Sequence, residues 1–261
     1  MITLVEESVE QLTAGWRAMV LDRDPNADVR DLPGVAVRWA DCGFPFWNCV
    51  TLTEPGLGTG LLARRFAEAA EVMRAKERSG FLWVFEDLVP GADLDALAGR
   101  AGLEHAFPGT AMAGDLLPIP EPHHPELTFE RVRTDEQLLA YADINSRAYG
   151  FEQGAGRDGI AGSALWKTGV HAYLGLRDGV PVTCAATVET AGRLLVVLVA
   201  TEPGHERRGY GEAVTRKALY EGWRATGITR ATLHATVAGA PVYPRIGFAP
   251  GSAMRFYALK G

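Results

Sequence analysis

The tetrapeptide Thr53-Glu54-Pro55-Gly56 returns as Thr201-Glu202-Pro203-Gly204, each time after an apolar, β-rich run and before an Ala- and Leu-rich helical stretch. A repeat of this kind constrains the fold more tightly than composition does, because each copy must be one supersecondary unit. Two further matches keep the same order: Arg100-Ala101-Gly102-Leu103 answers Arg245-Ile246-Gly247-Phe248, and Gly109-Thr110-Ala111-Met112 answers Gly251-Ser252-Ala253-Met254. The offset drifts from 148 (Thr53 to Thr201) to 145 (Arg100 to Arg245) to 142 (Gly109 to Gly251), as short loop insertions would make it. The chain reads as one folding unit written twice.

The copies part company immediately after the repeat. The second continues His205-Glu206-Arg207-Arg208-Gly209-Tyr210-Gly211, the first only Leu57-Gly58-Thr59-Gly60. A turn that ends a strand and opens a helix presents unpaired backbone N–H groups and the positive end of the helix dipole, which together attract an anion. Gly209 and Gly211 let the backbone approach a phosphate closely and accept positive φ, while Arg207 and Arg208 add forked donors suited to a diphosphate. Ala213 to Trp223 then reads as the helix, with Ala218, Leu219 and Trp223 among its apolar residues.

Strand, Arg-Arg-Gly-Tyr-Gly turn, helix, strand and then Tyr243-Pro244-Arg245-Ile246-Gly247-Phe248 resembles the GNAT superfamily of acyltransferases, over roughly residues 127 to 258. The resemblance implies acetyl-CoA, or another acyl-CoA, as cosubstrate and no metal. It implies that Arg207, Arg208, Gly209, Tyr210, Gly211 and Glu212 cradle the diphosphate, with Thr236 standing where many members carry Asn. Main-chain groups near Leu198, Val199 and Ala200 would hold the pantetheine arm and the thioester, and Tyr243 would supply a proton to the leaving thiolate. One position departs from the family's Q/R-x-x-G-x-G/A turn: Glu206 occupies its first place.

The same resemblance sets the expected fold class: α/β, of mixed α+β character, as two tandem GNAT-like domains, each a twisted, mostly antiparallel mixed sheet flanked by helices. The alternate prolines of Pro118-Ile119-Pro120-Glu121-Pro122 forbid helix and favour a stiff connection, so the expected domains are residues 1–120 and 121–261. His123 and His124 lie in that connection without a carboxylate or thiol at ligand spacing, and read as solvated linker residues. In the first half, helices are expected at Val5 to Val20, Leu61 to Arg78 and Ala92 to Arg100. Strands fall near Val35 to Ala40, Phe46 to Thr53 and Phe81 to Glu86, before a closing strand pair. The 145-residue offset sets Ala98 opposite Tyr243, so the first copy lacks the acid as well as the arginines and reads as a degenerate, noncatalytic domain.

In the second half a strand at Leu127 to Arg131 precedes a helix capped near Thr134 or Asp135 and running to about Arg147. Tyr149 to Gly162 is Gly-rich, and reads either as a mobile loop or as a lip of the acceptor site bearing Tyr149, Phe151 and Glu152. Strands at Val170 to Leu176, Val182 to Val188 and Leu194 to Ala200 follow, the first two joined by a hairpin turn at Arg177-Asp178-Gly179.

The chain has 261 residues, 47% hydrophobic and 22% charged, enough for two domains that each bury a core. Its formal net charge of −6 and lack of a basic stripe argue against a nucleic-acid partner. The start Met1-Ile2-Thr3-Leu4-Val5-Glu6-Glu7 does not read as a signal peptide and no run is long enough to span a bilayer, so a cytoplasmic location without membrane partners is expected. Cys42, Cys49 and Cys184 are an odd number without metal-ligand spacing and read as buried thiols.

Acyl transfer to an amine needs a donor for the developing oxyanion, a proton for the thiolate and a base for the amine. The resemblance assigns the first to N–H at Leu198 or Val199 and the second to Tyr243; Glu152, Glu189 and His234 are the side chains open to the third. No cysteine sits in a basic, helix-start context, so direct transfer in a ternary complex is expected rather than an acyl-enzyme. The leading expectation is an N-acetyltransferase acting on a small-molecule or peptide amine, as a monomer or homodimer. The alternatives are a noncatalytic acyl-CoA-binding or sensing protein, and an acetyltransferase like mycothiol synthase, another tandem member of the superfamily.

Overall fold

Thr3 opens the first helix, α1 (Leu4–Arg23), with a reciprocal cap: its hydroxyl accepts the Glu6 N–H at 3.3 Å while the Glu6 carboxylate accepts the Thr3 N–H at 2.8 Å. The computed structural model describes residues 2–261. By their internal packing these form two compact units, the first comprising residues 2–112, Ala235–Ala238 and Pro250–Gly261, the second Ala113–His234 and Gly239–Ala249.

In the first unit α1 is followed by β1 (Asp28–Leu32), β2 (Val35–Trp39), β3 (Asn48–Leu52), α2 (Thr59–Arg74), β4 (Phe81–Phe85), α3 (Leu94–Ala101) and β5 (Leu103–Asp115). The chain's last strand, β11 (Ala249–Leu259), contributes its residues from Pro250 onward. The strands lie in the order β1-β2-β3-β4-β11-β5. Pairing is antiparallel from β1 to β3 and between β4 and β11, and parallel between β3 and β4. Every residue of β2 and β3 is buried, as expected of strands covered on both faces. Trp16, Trp47 and Trp83 meet edge to face in the core, at centroid distances of 5.3 and 5.4 Å about Trp16. The expected closing pair of strands is one long strand, β5, and β1 has no counterpart in the expected list because Asp28-Val29-Arg30-Asp31-Leu32 carries little apolar signal. The sequence reading counts the terminal strand with the second half; its side-chain partners, Glu86 and Asp95 on Arg255, are first-unit residues.

The second unit contains β6 (Thr128–Arg131), α4 (Asp135–Tyr149), α5 (Gln153–Ile160), α6 (Ala164–Thr168), β7 (Val170–Arg177), β8 (Val180–Thr190), β9 (Arg193–Thr201), α7 (Tyr210–Thr226) and most of β10 (Arg230–Thr236). Its strands run β10-β9-β8-β7-β6, antiparallel from β9 to β6 and parallel between β9 and β10. Thr134 and Gln137 form a second capping box at the start of α4. The β7–β8 turn holds Asp178 and Gly179 at φ of 51° and 78°, and the β8–β9 turn holds Ala191 and Gly192 at 45° and 71°, both of the twist-matched hairpin kind. The Gly-rich stretch after Tyr149 is not a loop: Gln153–Ile160 is helical and packs on α4. Gly156 makes this possible, since a Cβ there would sit 2.3 Å from the Ala142 carbonyl oxygen, and its N–H donates to Ser146 Oγ at 2.9 Å.

All three cysteines are free and buried. Among the described residues no helix is long and apolar enough to cross a membrane.

Candidate active site

The site is built on an irregularity in β9. Its antiparallel register with β8 shifts between Cys184↔Ala200 and Ala186↔Val197, so β9 carries one residue more than its partner. The surplus is absorbed at Leu198, which adopts a left-handed φ of 49°, a conformation costing a side-chain-bearing residue about 1 kcal/mol or more. On the other edge the parallel pairing with β10 runs from Ala231↔Leu194 to Leu233↔Val196 and goes no further. The two strands splay at Val197.

Two tyrosines of α4 fix what the bulge presents. The Tyr141 hydroxyl donates to the Leu198 carbonyl at 2.9 Å, and the Tyr149 hydroxyl donates to the Val199 carbonyl at 3.0 Å. A trans peptide sets its C=O and N–H on opposite sides, so anchoring the Leu198 carbonyl on Tyr141 turns the Val199 N–H away from α4. The Ala200 carbonyl is itself occupied, accepting from Thr183 Oγ1 at 2.8 Å.

Tyr243 lies in a single 3-10 turn (Tyr243–Arg245) and is 7% exposed. Among the described residues its hydroxyl has no hydrogen-bond partner, and burial alone pushes its pKa above the ordinary tyrosine value. Burial likewise raises Tyr149, with Tyr243 and Cys184 adding to the shift. The Cys184 thiol takes a hydrogen bond from Asn145 Nδ2 at 3.2 Å, and burial drives its pKa far up; it is a packed thiol, not a nucleophile.

Past β9 the chain enters the repeated turn. Gly204, Arg207 and Gly209 take φ of 85°, 60° and 82°. Gly209 is the residue before α7 and gives the helix no side-chain cap. The first bonded N–H is that of Ala213, to Gly209 O at 2.9 Å; among the described residues the main-chain N–H groups of Arg207, Arg208, Gly209, Tyr210 and Gly211 meet no acceptor. Arg207 and Arg208 are exposed beside them. Glu206, the departure from the family pattern, is exposed and accepts the Gly204 N–H at 2.8 Å.

The Glu212 side chain is engaged within the protein. Its carboxylate accepts from Arg216 at 2.9 Å and from Arg245 Nε at 2.8 Å, tying the first turn of α7 to the segment that carries Tyr243. Burial would raise its pKa, but the two guanidiniums outweigh that and hold it below the ordinary carboxylate value.

The remaining expected residues lie at the start of α5 and on β8 and β10, and His234 directly follows Leu233, the β10 residue paired with Val196 beside the splay. Glu152 is exposed at the start of α5, without a cap hydrogen bond. Glu189 is exposed beside Leu194, four residues or about 13 Å along β9 from Leu198. His234 is half-buried on β10, and Thr236 falls in the Ala235–Ala238 segment of the first unit. Phe151 stacks on Tyr149 at 6.0 Å.

The corresponding first-unit turn is plainer. The Gly56 N–H donates to Leu88 O at 2.7 Å, Gly58 precedes α2 without a side-chain cap, and no charged residue stands in that helix's first turn. A surface pocket of about 330 Å³ in this unit is lined by α1 residues such as Glu6, Val9 and Thr13 and by Asp31 and Leu32 near the β1–β2 turn.

A GCN5-related N-acetyltransferase from Kribbella flavida matches the structure with a TM-score of 0.71 at 21% identity, covering 97% of this chain and 96% of its own. The chain has the GNAT fold. A second GNAT-fold protein, a GCN5-related N-acetyltransferase from Sphaerobacter thermophilus, matches with a TM-score of 0.60 at 15% identity, over 96% of this chain and 91% of the other. A tandem GNAT protein from the clavulanic acid biosynthesis pathway matches with a TM-score of 0.53 at 16% identity, over 80% of this chain and 74% of the other. No protein-family model matches the sequence, and no curated protein matches it. Within the GNAT fold of the second unit, Tyr141, Arg245 and His124 are residues of the site's surroundings that sequence reasoning missed. Each is tied in by a bond across 33 to 84 positions of sequence, to Leu198, Glu212 and Arg208 respectively. No local pattern announces such pairs.

Proposed function

We propose that the second unit is an acyl-CoA-dependent N-acyltransferase that transfers an acyl group, most simply acetyl, to an amine of a small molecule or peptide. The observation that carries this reading is the row of unanswered N–H groups from Arg207 to Gly211 at the start of a 17-residue helix, flanked by two exposed arginines. Such a row matches a diphosphate in charge and in donor number. The bulge supports the second half of the reading. With its carbonyls held by Tyr141 and Tyr149, β9 offers the Val199 N–H to a thioester oxygen that gains charge as the amine attacks.

Tyr243 then donates its proton to sulfur as the carbon–sulfur bond breaks. Its raised pKa keeps the phenol protonated at neutral pH, the state a general acid needs. The buried, raised thiol of Cys184 supports direct transfer over a covalent intermediate. The amine's proton is left to water or to a side chain of the acceptor site. The first unit, without arginines in its turn and with Ala98 opposite Tyr243, is proposed to be a noncatalytic copy.

Calorimetric titration of acetyl-CoA into the purified protein, followed by a thiol-release assay over an amine panel, tests the reading. One site of micromolar affinity, about 8 kcal/mol, together with turnover on any amine supports it. Binding without turnover favours a noncatalytic acyl-CoA sensor, for which Glu206, at the first place of the turn, is the motive. No binding overturns both.

A further inference from the structure

The connection between the sequence halves does not hang free. Glu126 and Leu127 follow the prolines, and Leu127 is buried in one cluster with Val182, Tyr210 and Ala213. The Tyr210 hydroxyl donates to Glu126 Oε2 at 2.9 Å, and Arg177 approaches the other carboxylate oxygen at 3.6 Å. His124, read from sequence as a solvated linker residue, is half-buried and stands edge-on to the Tyr210 ring, at 5.1 Å and 85°. Its Nε2 lies 3.1 Å from the Arg208 carbonyl oxygen, and its Nδ1 accepts the Glu126 N–H at 3.2 Å. An Nδ1 that accepts carries no proton, so the network assigns the proton to Nε2, which donates to Arg208.

We propose that His124 is a positioning residue of the diphosphate turn: by holding the Arg208 carbonyl it locks the Arg208–Gly209 peptide with its N–H facing the anion. This inference rests on the acyl-CoA reading above. The peptide is trans and planar, so the side on which Arg208 C=O is captured fixes the side on which Gly209 N–H emerges. Gly209, at φ 82°, is the one residue type for which the opposite peptide orientation costs little. A flipped peptide would aim a carbonyl oxygen at a phosphate in place of an N–H. The glycine that lets the backbone come close is thus also the weak point of the turn, and the linker histidine supplies the restraint that glycine cannot. Tyr210, packed against His124 and bonded to Glu126, keeps the imidazole at its station.

The test compares His124→Phe and His124→Gln in the full-length protein, by calorimetric titration with coenzyme A and by steady-state kinetics with acetyl-CoA. Phenylalanine retains the ring against Tyr210 but has no donor; glutamine can present an amide N–H near the Nε2 position. The expected result is a coenzyme A Kd about tenfold weaker for His124→Phe, with the acetyl-CoA KM rising in step, kcat within about twofold, and affinity restored to within about threefold by His124→Gln. If His124→Phe does not fold, His124→Asn, which can meet the Glu126 N–H but not Arg208, takes its place and is expected to behave as the phenylalanine would. Wild-type affinity in the donor-less variant, or equal losses for Phe and Gln, overturns the positioning role while leaving the acyl-CoA reading intact. If the wild-type protein itself binds no coenzyme A, the acyl-CoA reading falls and this inference falls with it.

Discussion

Arg245 Nε lies 2.8 Å from Glu212 Oε2, and this ion pair joins the first turn of α7 to the 3-10 turn that carries Tyr243. Arg216 closes the triangle, donating to Glu212 and also to the Arg245 carbonyl. The start of α7 and the candidate acid are therefore mechanically connected, although 33 residues separate the paired side chains in sequence.

Glu212→Gln should loosen that connection. A partly exposed pair contributes about 1 kcal/mol or less, so thermal stability should change little while kcat falls several-fold as Tyr243 loses its seat. The pH dependence has a definite sign. Because the folded-state pKa of Glu212 is depressed, its stabilisation is full above the ordinary Glu value and is lost as pH falls through the lower folded value. Denaturant midpoints measured from pH 7 down to 3 should fall less steeply in the Gln variant; parallel curves would remove Glu212 from the account.

Tyr243→Phe should lower kcat on the order of 100-fold with the acyl-CoA KM nearly unchanged. The hydroxyl has no partner among the described residues and the ring packs edge-on against Phe248 at 5.9 Å, so stability should hold within about 1 kcal/mol. An unchanged kcat would assign the proton to another group.

Gly209→Ala confronts a φ of 82° that a Cβ disfavours by about 1 kcal/mol. Coenzyme A affinity should weaken, and more so in combination with Arg207→Ala and Arg208→Ala. Full affinity in the triple variant, measured by calorimetry, would move the diphosphate site elsewhere.

Cys184→Ala should retain turnover within about threefold, since a thiol with so high a pKa is no nucleophile at neutral pH. Loss of a buried group should cost about 1 kcal/mol in urea unfolding. An inactive but folded variant would instead argue for an acyl-enzyme.

Gly156→Ala should destabilise the protein by about 1–3 kcal/mol, because the added methyl meets the Ala142 carbonyl at 2.3 Å and must push α5 off α4. Equilibrium urea unfolding reads this directly.

The sequence by itself determined the parts of this protein that depend on local chemistry. The T-E-P-G repeats, the glycines of the Arg207–Gly211 turn, the Thr134–Gln137 cap and the Asp178-Gly179 hairpin are each specified by a few adjacent residues with one favoured conformation. Helix α5 was illegible for the opposite reason: Gln153-Gly154-Ala155-Gly156 has poor helix propensity, and only the close approach to Ala142 stabilises it. The hairpin at Ala191-Gly192 was likewise set by the strands on either side rather than by its own residues. What only the tertiary structure decided is which side chains hold the backbone of the site. Tyr141 on Leu198, Tyr149 on Val199, His124 on Arg208 and Arg245 on Glu212 are single hydrogen bonds between distant segments. Each exists because packing brings a donor within 3.1 Å of an acceptor, a coincidence in space that no periodicity along the chain encodes.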